Sequence, residues 1–331
     1  MSRIILICLL SFLTLGASQN GSVTVYVSQD QVFSEPILKD FEKKTGIKVK
    51  ALYDSEESKS TGVMNRLLAE KRNPQADIYW ANEPIRAEIL RNRGILAPYK
   101  SPNAKGIDKV FKSSDNTWCG FSARVRLFIV HKDAIMKPYS VMDYANSALE
   151  GKGVIANPLF GTSTSHISAL FTYLGEKTAK AFMKKMKINN IAISTSNGES
   201  ADFVASGKYD FALVDSDDAI SRLRSGKPVE FIYPDQKDRQ MGVFVVPNAV
   251  MLIKGAKHST NAKKLFDYLL SRDTEAKLAK ADCAQIPLHK GVEGPKELKS
   301  ISDLRVMQVD YAQVAKEMVK IQPYLKDWLA K

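Results

Sequence analysis

Apolar and polar residues alternate in VTVYVS (23–28), the period of a strand with one buried face. The period then lengthens. In PILKDFEKKT (36–45) Ile37, Leu38 and Phe41 share one helical face, and Gly46 supplies a stop. The exchange recurs: IKVKALY (47–53) reads as a strand, 63–71 as a helix with Val63, Leu67 and Leu68 on one face, ADIYWA (76–81) as a strand, and 84–93 as a helix closed by Gly94. Strand followed by helix, repeated, predicts an α/β fold with largely parallel pairing.

Two long β-type runs interrupt this rhythm, WCGFSARVRLFIVH (118–131) and GVFVVPNAVMLI (242–253). Between them lies a second series, with strands at 153–157, 190–194, 210–214 and 229–233 and helices at 161–174, 176–186, 198–206 and 217–225. After the second run the pattern is helical, at 261–270, 274–281 and 303–329. The simplest arrangement is two lobes joined by two hinge crossings, each lobe a mixed, mostly parallel sheet flanked by helices. Residues 19–123 plus 248–331 form a discontinuous lobe one, and 124–247 form lobe two. Two such lobes suit ligand capture by hinge closure. Ligands of open α/β sheets sit beyond the carboxyl ends of strands, so the loops after Val27, Tyr53, Ala81, Asn157 and Val214 are the ones to inspect.

Residues 1–18 (MSRIILICLLSFLTLGAS) combine Arg3, an apolar run from Ile4 to Leu15 and the small Gly16, Ala17 and Ser18. This is the pattern of a cleaved signal peptide, with an apolar run shorter than the roughly 18–20 residues of a spanning helix. It places the mature protein in the periplasm or otherwise outside the cytoplasm. The 331 residues carry 48 Lys+Arg against 36 Asp+Glu, a net charge of +12. The lysines are spread along predicted helices, as in Lys180, Lys184, Lys185 and Lys187. No dense basic block with interleaved aromatics is present, so no nucleic-acid partner is expected. Cys119 and Cys283 remain once Cys8 leaves with the leader. They could pair in an oxidising compartment, and their separation in sequence leaves that open. Four histidines, with neither CxxC nor HExxH, offer little to a Cys/His metal site.

At the loops singled out above the chain resembles a known family. VTVYVSQDQVFSEPILKDFEKKTGIKVKALYD is similar to the opening of type II periplasmic solute-binding proteins of ABC importers, in the branch called ferric-iron-binding. PQADIYWANEPIRAEILRNRGILAPY, WCGFSARVRLFIVHKD, ASGKYDFALVDSDDA and AQIPLHKGV match further blocks of that branch in order. The resemblance implies a two-lobed shuttle that hands a small ligand to the importer's membrane permease; a monomer that catalyses nothing is expected. Carried over residue by residue, it implies Glu83 as a metal ligand and Gln31 at the polar position of the first loop. The adjacent tyrosines that follow the strand equivalent to FALV in iron binders are absent, and Asp215-Ser216-Asp217-Asp218 stands in their place.

The candidate loops carry chemistry of both signs. Asp215, Asp217 and Asp218 follow a strand and precede a helix. Ionised carboxylates are hard ligands for Ca²⁺, Mg²⁺, Mn²⁺ or Fe³⁺. They equally suit an ammonium group or sugar hydroxyls, and one of them can cap the helix. Thr162, Ser163 and Thr164 open another helix, where free N–H groups and hydroxyls favour an anion or form an ordinary cap. Arg124 and Arg126 share a face of the first crossing and suit a carboxylate, phosphate or phosphonate, or an internal ion pair. Asp30 and Gln31, the loop 54–59, and Asn82 with Glu83 complete the polar edge.

Two cargoes fit. One is a metal ion on Glu83 with Asp217 or Asp218, accompanied by a small anion at Thr162–Thr164. The other is a small organic phosphate, phosphonate or zwitterion, such as an aminoalkylphosphonate or sugar phosphate. Its acidic group would sit at Arg124 and the Thr/Ser loop, and its amine or hydroxyls at the aspartates. A periplasmic enzyme with paired carboxylates is the contrasting class, but GxSxG, Walker, GxGxxG and zinc-hydrolase motifs are all missing. No catalytic cofactor is expected, and any bound metal would be cargo.

Overall fold

The computed structural model describes residues 21–55 and 60–330. The predicted signal peptide, and Glu56, Glu57, Ser58 and Lys59 of the second polar loop, lie outside the described residues. The first series runs β1 (Ser22–Val27), α1 (Gln31–Thr45), β2 (Lys48–Tyr53), α2 (Thr61–Ala69), β3 (Ile78–Ala81), α3 (Ile85–Asn92) and a short β4 (Leu96–Ala97). α1 buries Ile37, Leu38 and Phe41, the face that the spacing picks out. Gly46 ends it at φ 70°, a left-handed conformation that glycine adopts without a Cβ clash. Pro36, read as the start of this helix, instead sits inside it, past the first turn, where its missing N–H forfeits one intrahelical bond.

β5 (Trp118–His131) is the first long run. The second series follows as β6 (Gly153–Ala156), α4 (Gly161–Leu174), α5 (Glu176–Ile188), β7 (Ala192–Ser194), α6 (Asn197–Ala205), β8 (Phe211–Asp215), α7 (Ser216–Arg224) and β9 (Val229–Ile232). β10 (Val245–Ile253) is the second long run, and α8 (Ser259–Leu269), α9 (Arg272–Lys280) and α10 (Tyr311–Ala330) complete the chain.

β5 and β10 organise the sheet. Hydrogen bonding runs β2-β1-β3-β10-β5-β8-β6-β7 without a break, with β4 beside β10 and β9 beside β5. β1 pairs in parallel with β2 and β3, and β6 with β7 and β8. Every described pairing of β5 or β10 is antiparallel. The sheet is therefore mixed rather than mostly parallel. The cause is that two long strands of opposite direction join the outer parallel sets to each other.

β5 changes partner along its length. Residues 118–125 pair with β10, and residues 126–131 pair with β8 and β9. Phe121 opposes Asn248 and Ala123 opposes Pro247, which leaves Ser122 as an extra residue, a bulge with φ 40°. The core follows these strands. β3 and β10 are buried throughout, and Trp80, Tyr79, Phe121 and Phe128 are among the largest enclosed side chains. Burying each such side chain contributes on the order of 1.5–3 kcal/mol.

Cys119 and Cys283 are buried free thiols, so the open question of a disulfide resolves against one. They donate to the carbonyls of Gly120 (3.5 Å) and Leu278 (3.4 Å). Burial pushes the Cys119 thiol up to about 12, which makes it a packing residue. Among the described residues no helix is long and apolar enough to cross a membrane.

Candidate functional site

The carboxyl ends of β6, β7 and β8 each lead into a helix, α4, α6 and α7 respectively. Residues at the starts of all three helices line one cavity of about 450 Å³, together with Asp30 after β1 and Asn82 after β3. The first N–H groups of a helix have no intrahelical acceptor, and its dipole adds partial positive charge. The volume is that of a small-molecule pocket.

Asp215, the last residue of β8, is the hub of the site. Its carboxylate accepts hydrogen bonds from Arg124 Nη1 (3.1 Å), Arg126 Nη1 (3.0 Å) and Thr162 Oγ1 (2.8 Å). Alternation along β5 puts the two arginines on one face, and the β5–β8 register sets Arg126 opposite Asp215. All three side chains are buried, where a charge is tolerated only with a partner. Burial alone would raise the Asp215 carboxyl. Arg124 and then Arg126 overcome that and hold it below the usual range. Arg124 also donates to the Asn82 carbonyl, and Arg126 to the Leu213 carbonyl (2.8 Å) and Asn197 Oδ1 (3.0 Å). Arg124 and Asp215, both expected at the ligand, therefore line the cavity with much of their hydrogen-bonding capacity spent inside the protein.

Asp217 and Asp218 lie in the first turn of α7. Ligand atoms of Asp215, Asp217 and Asp218 come within 4.8 Å of one another. Crowded like charges resist ionisation. Burial, followed by Asp217 and Asp215, pushes the Asp218 carboxyl well above its ordinary range, against the opposing pull of Arg222 at 3.8 Å. Asp217 lies 3.9 Å from Arg124 and accepts the Asp218 N–H (3.1 Å). Asp30, Glu199 and Asp202 add to these acids, so among the described residues six carboxylates line the cavity against two arginines, Arg124 and Arg222. Among the described lining residues there is no tyrosine, histidine or cysteine.

The anion-favouring half is the start of α4. Phe160 precedes this helix without a side-chain cap, and the first backbone bond runs from Thr164 N–H to the Phe160 carbonyl (3.3 Å). The N–H groups of Gly161, Thr162 and Ser163 thus have no intrahelical acceptor. Thr162 and Ser163 line the cavity, with Thr162 Oγ1 accepting from Asn197 Nδ2 (2.8 Å). Thr164 is fully buried and does not line it. His166 is a packing residue stacked on Phe244 at 5.3 Å, and burial, then Arg126, pushes it down to about 3.

Two expectations are corrected by their local backbone. Glu83 does not line the cavity. Its carboxylate opens α3 by accepting the N–H groups of Ile85 (2.6 Å) and Arg86 (3.0 Å), pairs with Arg86 Nη1 (3.3 Å) and accepts Ser165 Oγ (3.1 Å). The structure therefore does not assemble Glu83, Asp217 and Asp218, and the cluster it forms is Asp215, Asp217 and Asp218. Gln31 is exposed and bonds Glu35 (2.9 Å), because α1 begins at Gln31 and carries the side chain out to solvent. Asn82 stays at the cavity, its side chain held by Ser60 Oγ.

The turn Thr195, Ser196, Asn197 and Glu199, and Arg222 beyond it, escaped the sequence reading although they line the cavity. A signal was present. SNGE has the spacing of a capping box directly after a strand, and Ser196 Oγ accepts the Glu199 N–H (3.1 Å).

The profile of bacterial extracellular solute-binding proteins matches residues 37–305. The chain is 25% identical over 301 residues to the iron uptake protein A1 of Synechocystis sp., covering 85% of this chain and 81% of that protein. Its fold is similar to that of iron-bound HitA from Pseudomonas aeruginosa, with TM-score 0.82 and 21% identity over 92% of this chain and 99% of that one. It is also similar to AfuA from Actinobacillus pleuropneumoniae with fructose-6-phosphate bound, with TM-score 0.83 and 22% identity over 94% of this chain and 99% of that one. A profile match over most of the sequence, on the architecture described above, shows that the chain belongs to the bacterial extracellular solute-binding proteins.

Proposed function

We propose that this chain is the extracytoplasmic solute-binding subunit of an ABC importer, that it captures a compact polar solute in the 450 Å³ cavity and that it passes the solute to a membrane permease. The observation that carries the reading is the meeting of uncapped helix N–H groups at α4 with crowded carboxylates at α7 in one cavity. An anionic group toward Thr162 and Ser163, with an ammonium or several hydroxyls toward Asp217 and Asp218, answers both halves. Small organic phosphates, phosphonates and zwitterions have this form, and the fructose-6-phosphate of the similar AfuA structure is one of them. The absence of tyrosine among the described lining residues, and an Asp215 already engaged by two arginines, weigh against a ferric ion held by tyrosinates.

A second reading rests on the cluster of Asp215, Asp217 and Asp218 within 4.8 Å, which suits a hard cation arriving with a small anion. The iron uptake protein and iron-bound HitA, to which the chain is similar, support it.

Lobe one (19–123 plus 248–331) supplies Asp30 and Asn82, and lobe two (124–247) supplies the three helix starts. On this reading the lobes close about β5 and β10 near Ser122 and Asn248. Closure then removes water and strengthens each polar contact. Residues 1–18 act as the signal peptide, and the mature chain works as a monomer. The test is native mass spectrometry of protein purified from the periplasm without chelator, compared with its denatured mass. An organic increment supports the first reading, and a metal increment, with or without an anion, selects the second. If the protein is empty and neither fructose-6-phosphate, 2-aminoethylphosphonate nor ferric citrate gives heat on titration, both readings fail.

A further inference from the structure

We propose that Glu275 is a positioning residue for the cavity: together with a doubly protonated His289 it fixes the β5 bulge that aims Arg124 at Asp215, and this hold weakens as His289 loses its proton. The inference rests on the cavity reading above.

Glu275 lies on α9 and is fully buried. One carboxylate oxygen accepts the N–H of Ser122 (2.8 Å) and of Leu288 (2.9 Å). The other accepts the N–H of His289 (3.0 Å) and faces His289 Nδ1 at 2.8 Å. One side chain thus ties the bulge to α9 and to the segment after it. That segment braces the neighbouring residue as well, since Ala123 and Ile286 exchange two backbone bonds of 2.7 Å. From β10, Asn248 Nδ2 donates to the Ser122 carbonyl and to Gln285 Oε1 (2.8 Å).

The bulge matters because side chains alternate along a strand. One extra residue reverses the alternation beyond it, and here that places Arg124 and Arg126 on the side of Asp215. Ser122 holds φ 40°, a left-handed conformation that a serine keeps only under constraint. The Glu275 bond to its N–H supplies such a constraint.

The charge state of His289 follows from its neighbours. Nδ1 faces the Glu275 carboxylate and Nε2 faces the Asn103 carbonyl at 2.9 Å. Both are acceptors, so both ring nitrogens must donate and the ring is an imidazolium. The charged groups acting on the ring are Glu275 and Arg272, both of α9, and the hydrogen bond to Glu275 raises its pKa above 6.5 against the repulsion of Arg272. A neutral ring would set a lone pair against one acceptor and remove the counter-charge closest to a buried carboxylate.

The experiment uses ligand-free, full-length mature protein and nitrogen-15 NMR, so its failure is separate from any failure to find cargo by native mass. In wild type both His289 ring nitrogens should be protonated at pH 6 and should titrate above 6.5. Exchange of the Ser122 amide, divided by that of Val25 in β1, should rise as His289 deprotonates. Glu275→Gln should raise this ratio about tenfold, the loss of one buried charged hydrogen bond, and move the Arg124 Nε resonance. His289→Gln should fold and abolish the pH dependence of the ratio, which keeps the proposal testable if Glu275→Gln does not fold. A neutral His289 at pH 6, or Ser122 exchange that changes only in step with Val25, overturns it.

Discussion

Asp215→Asn separates a structural hub from a ligand contact. In the native protein three donors converge on this carboxylate, at 3.1, 3.0 and 2.8 Å. Asparagine keeps the shape and one acceptor oxygen, but it turns an N–H₂ toward donors and leaves two buried guanidiniums without an anion between them. Hydrogen bonds to charged groups contribute roughly 1.5–3 kcal/mol each and do not add. Removing one partner of a buried ion pair costs about 3–5 kcal/mol, and we take that as the expected loss. It is large against a total stability of about 5–15 kcal/mol. Asp217 is 3.9 Å from Arg124, so Asp217→Asn should cost less than Asp215→Asn while weakening solute binding. Urea denaturation at pH 7 measures both, read as a shift in midpoint at constant slope. The pH dependence has a definite sign. The folded Asp215 pKa lies below 3.8, so its contribution is full above that value and disappears as pH falls through the folded one. The gap between wild type and variant should close in acid. A cost below about 1 kcal/mol for Asp215→Asn, with a larger one for Asp217→Asn, would refute the assignment of the hub.

Asp218 has a raised pKa, so the affinity for a solute bearing a cation should increase as pH rises through that titration, with proton release wherever Asp218 still holds its proton. Calorimetry in two buffers of different ionisation enthalpy should show proton release, and equal heats would contradict it. Glu83→Gln should destabilise by about 3 kcal/mol through the buried Arg86 and leave affinity within a few-fold, checked by denaturation alongside titration. A selective loss of affinity would return Glu83 to the ligand set. His166 is neutral in the folded chain with a pKa near 3, whereas the unfolded chain takes up its proton below 6.5. It should therefore remove about 1.4 kcal/mol of stability per pH unit as pH falls through that window. His166→Phe, which keeps the ring against Phe244, should flatten this slope, and an unchanged slope in the denaturation midpoint counts against the burial account.

Periodicity is a local property, and the elements it describes were readable from the chain alone. β5 spans 118–131 and α4 spans 161–174, the bounds that the pattern predicts. The candidate loops were readable for the same reason, since strand ends and helix starts are local and the carboxyl ends of parallel strands collect ligands. Alternation likewise put Arg124 and Arg126 on one face. Other outcomes depended on contacts between distant segments. Arg124 and Asp215 are 91 residues apart and meet only because β5 lies antiparallel to β8. Glu275 and Ser122 are 153 apart and meet only because α9 packs beside the bulge. Glu83 shows the converse, since carboxylate chemistry was evident from its type but its use was decided by Arg86 and by Ser165, 82 residues away. Sequence by itself determined which chemical groups stand at the carboxyl ends of the strands. Tertiary structure decided which of them spend their charge on one another and which face the cavity, because a buried charge is committed by the partners that packing brings to it.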